Sequence, residues 1–106
     1  MELRSSGEAR QFNEDRFTKE DFIKSERTTV FLLNFQEGQE MRPHSHPGRE
    51  LVLHVMEGSG TLSVDGEEMP FAEGQVLHCG PEEQVGFVNG KDGKACIFGT
   101  LTRIDK

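Results

Sequence analysis

Between Thr28 and Thr102, apolar and β-branched residues fall into short runs at 28–35, 40–46, 51–56, 60–64, 67–72, 76–79, 84–88 and 95–102. Glycine, proline or an Asx-Gly pair cuts them apart, at Gly38, Pro47-Gly48, Gly58, Asp65-Gly66, Gly74, Gly80-Pro81 and Asn89-Gly90. Within the runs the alternation has a period of two: Leu51, Leu53 and Val55 form one set, and Glu50, Val52, His54 and Met56 the other. That period, with the Val, Ile, Thr and Phe content, predicts strands. Asp-Gly and Asn-Gly are the dipeptides that tight hairpins favour, since both central residues need positive φ. No stretch carries helical periodicity, so the expected class is all-β, a mostly antiparallel sandwich or barrel.

Residues 1–27 break this pattern. They are polar, and Phe12, Phe17 and Phe22 recur every five residues, which suits neither a helix nor a strand. The expectation is an irregular N-terminal arm with one or two short strands laid over a sheet, its charged residues forming a solvated face.

Length and charge narrow the classes. A chain of 106 residues forms one domain, 1–106, able to bury about two thirds of its unfolded surface. No apolar run approaches the roughly 20 residues of a membrane span, and Met1 to Ser6 lacks the apolar stretch of a signal peptide. Net charge is −7 with no basic cluster, which argues against nucleic acid as a partner and leaves the cytoplasm as the expected location. Cys79 and Cys96 sit in apolar runs without a C-x-x-C pair, and read as buried free thiols. Without Trp or Tyr, eight Phe residues carry the aromatic packing.

The chemistry concentrates at His44 and His46. At i and i+2 of a strand they share a face, and two imidazoles on one face can hold a divalent metal that a neighbouring carboxylate completes. Their surroundings resemble the cupins, small double-stranded β-helix (jelly-roll) barrels. The first cupin motif sets a glycine, His-x-His, a glutamate and a closing glycine in order. Here Gly38 precedes His44 by the five intervening residues the motif asks for, and Gly58 closes the segment 38–58. The second motif runs from a glycine to an asparagine, and Gly74 and Asn89 stand at its separation over 74–89. In that register Val85 occupies the place of the second motif's histidine, so one family ligand is missing.

The family glutamate has two candidate positions. Spacing from His46 favours Glu50, whereas counting back from Gly58 puts Leu51 there. Simple alternation points Leu51 inward and turns Glu50 and His54 outward. A β-bulge at Glu50-Leu51 would let Glu50 face the barrel, and it is the preferred reading because an acidic residue beside His-x-His has an evident use. His44, His46 and Glu50 would then form a 2-His-1-carboxylate set suited to iron, with zinc, nickel or manganese as alternatives. His78 is a weaker substitute ligand; it and His54 read first as exposed or hydrogen-bonded histidines.

The resemblance implies a small-molecule ligand held inside the barrel, with Leu51, Leu53, Val85 and Phe87 expected to line its pocket and Phe31, Leu33 and Phe98 as further wall candidates. Met41 and Met56 near the mouth read as packing. One expected function is a divalent-metal-dependent enzyme acting on a small oxygen-rich molecule. The alternative is a metal-free, non-catalytic binding module, which the loss of the second-motif histidine favours. Small cupins are commonly homodimers, and the arm's phenylalanines offer a surface for a partner copy.

Overall fold

A computed structural model describes residues 1–104. It has nine strands: β1 (Thr18–Lys24), β2 (Thr28–Phe35), β3 (Glu40–His44), β4 (Arg49–Glu57), β5 (Ser59–Val64), β6 (Glu67–Ala72), β7 (Val76–Cys79), β8 (Val85–Asn89) and β9 (Ala95–Arg103). Every run expected from the period-two pattern forms a strand, and β1 is the strand expected in the arm. They make two antiparallel sheets, ordered β1-β2-β9-β4-β7 and β3-β8-β5-β6. The fold is the all-β jelly roll.

One core fills the space between the sheets. Phe31, Leu33 and Phe35 of β2, Leu51, Leu53 and Val55 of β4, and Ile97 and Leu101 of β9 meet Met41, Leu62, Phe71, Val85 and Phe87 from the second sheet. Side-chain alternation places these sets inside and leaves their neighbours outside. Gly99 on β9 lies between Phe31 and Leu53 in the ladder. A Cβ there would stand 2.3 Å from the Phe31 ring, so the missing side chain is what makes room for that ring.

The two Asx-Gly pairs part company. Asp65 and Gly66 both take positive φ, +51° and +84°, and join Val64 directly to Glu67 as a two-residue hairpin. Asn89-Gly90 makes no hairpin, because β8 and β9 belong to different sheets. Asn89 is buried instead, and its amide nitrogen donates towards the carbonyls of Phe35 (3.4 Å), Gln36 (2.9 Å) and Gly93 (2.8 Å).

The arm is anchored rather than loosely draped. A short 3₁₀ helix, Ser6–Ala9, sets Ala9 on Leu32 and Cys96 on the outer face of the five-stranded sheet, with Phe22 and Phe98 packed alongside. Asn34, fully buried on that face, donates to the Ala9 carbonyl at 2.8 Å and to the Thr18 hydroxyl at 3.0 Å. Arg10 pairs with Glu57 on β4. All three arm phenylalanines are engaged within the chain. Phe12 lies under Arg10 and Lys94, Phe17 stacks on Phe35 at 5.1 Å, and Phe22 meets Phe98 edge-on at 6.0 Å. Those three rings are thus packed within the chain, while Met1 and Leu3 of the arm are exposed. No helix among the described residues is long and apolar enough to cross a membrane.

Candidate functional site

β3 is an edge strand, and Pro43 within it has no N–H to give to the ladder with β8. Pairing slips between Met41 and His44, and the strand stops at His44 instead of running on to residue 46. Opposite the slip stands Gly86, where a Cβ would lie 3.0 Å from the proline nitrogen. His46 therefore sits in the turn leading to β4, where its carbonyl accepts the Arg49 N–H at 3.0 Å and Gly48 supplies φ +78°. The two rings converge through this bend rather than through alternation along a straight strand, with centroids 4.6 Å apart at 63°.

Both imidazoles border a cavity of about 60 Å³. Its walls are Phe17, Phe31, Leu33, Met41, Leu51 and Leu53, and its polar groups are His44, His46 and Lys19. His44 Nδ1 lies 2.9 Å from the Arg42 carbonyl, which can only accept, so Nδ1 holds the proton and Nε2 carries the lone pair. His46 is half-buried, and burial pushes its pKa below the usual 6.5, helped by the charges of His44, Arg49 and Lys19. The Lys19 ammonium lies 4.6 Å over the Phe31 ring and 2.7 Å from Asp21 Oδ1.

Glu50 does not face this cavity. The β4–β9 ladder runs from Arg49↔Arg103 through Glu50↔Thr102 and Leu51↔Leu101 without a shift, and its irregularity comes later, between Val55 and Glu57. The bulge expected at Glu50-Leu51 is thus absent there. Burying Leu51, Leu53 and Val55 together sets the register, because a slip of one residue would turn all three to solvent. Glu50 points outward, where its carboxylate meets His78 Nε2 at 3.3 Å. The sequence pairs these two residues with the histidine motif, but the fold pairs them with each other on the opposite side of the sheet.

Leu51, Leu53, Phe31 and Leu33 border the cavity as expected. Val85 and Phe87 do not: they are packed into solid core, Val85 paired with His44 and Phe87 with Met41. Phe98 lies on the outer face against Phe22, and Met56 is exposed. Two lining residues, Phe17 and Lys19, come from the arm, where a solvated charged face is expected from sequence. The signal for them lay in β1 pairing with β2, a contact that local alternation does not reveal.

The donor set falls short of a metal site. Catalytic metal sites usually present three protein ligands and an open position. At this mouth two imidazoles converge, Leu51 and Val85 fill the remaining family positions, and an ammonium shares the cavity. Among the described residues, no three His, Cys, Asp or Glu side chains come together to hold a metal ion.

Comparison with known proteins follows this geometry. A family model described as a cupin domain matches residues 31–101. No curated protein matches the chain. Among solved structures, an RmlC-like cupin protein from Desulfovibrio desulfuricans is 30% identical over 96% of each chain, with a TM-score of 0.80. A Thermus thermophilus protein is 23% identical, covering 97% of this chain and 98% of that one, with a TM-score of 0.89. A predicted oxalate decarboxylase from Thermotoga maritima is 15% identical over 98% of this chain and all of its own, with a TM-score of 0.79. At 15% and 23% identity the likeness is one of fold alone.

Proposed function

This chain belongs to the cupin domain family, and from the groups at its barrel mouth we propose that it is a small-molecule-binding cupin whose site works without a resident metal. The observation that carries this reading is the outward turn of Glu50 to His78, which leaves two imidazoles and the Lys19 ammonium around an apolar cavity. A ligand would enter past His44 and His46, bury its apolar part against Leu33, Leu51 and Leu53, and keep its polar end at the rim. His46, held neutral, both donates and accepts there, while His44 Nε2 accepts.

A divalent metal on His44 and His46 is the second reading. The hydrogen bond at His44 Nδ1 favours it, because it leaves Nε2 as a ligand-ready lone pair in the way metal-bound histidines are commonly oriented. Two protein donors beside an ammonium would hold such an ion weakly. We further place the protein in the cytoplasm on the strength of its two buried free thiols, Cys79 and Cys96. Elemental analysis of untagged protein decides between the two readings. Well under one equivalent of iron, zinc, nickel or manganese, with no change in Tm on adding or chelating these metals, is the expected result. One equivalent that disappears in His44→Ala would overturn the proposal.

A further inference from the structure

The cavity walls and its rim make opposite demands on a ligand. Six apolar side chains form the walls, and none of them offers a hydrogen-bonding partner deep inside. A volume of about 60 Å³ is several times the roughly 10–15 Å³ one water needs, which leaves room for a tail of a few carbon atoms. A molecule carrying oxygens along its whole length would bury some of them without a hydrogen-bond partner, which disfavours it.

The rim is cationic. Lys19 is held at the cavity edge by the face of Phe31, itself a wall residue. Arg49 stands close enough to His46 to act on it electrostatically, as Lys19 does. Of the nearby acidic groups, Glu50 lies on the outer face with His78, and Asp21 pairs with Lys19. Lys19 and Asp21 are each about 40% exposed, so their attachment is a weak surface ion pair that another anion can readily share.

Building on the metal-free reading above, we propose that the site selects short-chain aliphatic carboxylates, with the carboxylate between Lys19 and the N–H of His46 and the tail against Phe31, Leu33, Leu51 and Leu53. Lys19 is then the residue that sets specificity for charge, and the apolar walls set it for the tail.

Titration of the full chain with pentanoate, pentanamide, pentylammonium and acetate, followed by calorimetry and by backbone amide shifts, tests this. Saturable pentanoate binding is expected, with shifts at Lys19, His46 and Leu53. Pentanamide and acetate should bind about fivefold or more weakly, and pentylammonium should not bind. Lys19→Met should cut pentanoate affinity about fivefold and bring it level with pentanamide, and Lys19→Glu should turn the preference towards pentylammonium. Equal binding of pentanoate and pentanamide by the unaltered protein would overturn the inference and leave metal-free binding standing. Pentanoate binding that requires added zinc or manganese would bring down both. Failure of every probe to bind overturns the inference as well.

Discussion

The interior has a filled part and a hollow part, built from the same short strands. In the filled part Phe87 meets Phe35 at 4.9 Å and Phe71 edge-on at 6.4 Å, with Val85 and Leu62 closing the remaining gaps. In the hollow part Phe31, Leu33, Leu51 and Leu53 stand around open space. β2 contributes to both, with Phe35 at the filled end and Phe31 at the hollow one. The difference lies in the facing sheet. There β8 sends Phe87 inward, while β3 bends away at Pro43 and turns imidazoles to the gap. A cupin cavity here is the space left where an edge strand stops supplying apolar side chains.

The largest expected effect tests that division directly. Phe87→Ala should cost about 3–5 kcal/mol in urea unfolding, a fall in Tm of roughly 15 °C or more. Phe31→Ala should cost at least about 1 kcal/mol less, because its ring already borders open space. Equal costs would erase the distinction between the two parts. Next in size, Asn89→Ala should lose about 1–3 kcal/mol by leaving the carbonyls of Gln36 and Gly93 without their donor. His44→Ala, at an exposed position, should stay within about 0.5 kcal/mol of the parent while weakening ligand binding. A destabilised His44→Ala would make the mouth structural rather than functional.

The smallest effect concerns pH. Burial pushes the Cys79 thiol above its ordinary 9.0, with Glu83 and Asp65 adding to the shift. As pH rises the unfolded thiol ionises first while the native one keeps its proton, so stability should decline above about pH 9. Cys79→Ala should remove part of that decline in a series of unfolding curves. In the native protein at pH 8, Cys79 should resist iodoacetamide and react only on unfolding. Ready alkylation would show that the filled part is open.

Strand positions were legible because burial on one face writes a period of two into β4 and glycine marks each reversal. Asp65-Gly66 was legible as a hairpin because everything it needs is local. Asn89-Gly90 was not, since no dipeptide says whether its flanking strands will share a sheet. Glu50 is the instructive miss. Leu51, Leu53 and Val55 state the register on their own, and burying all three turns Glu50 outward whatever its spacing from His46. Lys19 was out of reach for a different reason: its place at the cavity depends on a pairing with β2 that leaves little trace in Thr18–Lys24 itself.

That dependence on β1 bears on how this barrel can be divided. The stretch matched by the family model, residues 31–101, includes both histidines yet omits Phe17 and Lys19. A fragment cut at those boundaries would carry the family's signature and lack one wall and the charge of its binding site. It would also strip β2 of its neighbour, opening a strand edge of the kind that recruits other chains, and bare Leu32 and Cys96 on the outer face. What makes the site particular to this protein, and what covers that outer face, is the same N-terminal arm outside the matched stretch.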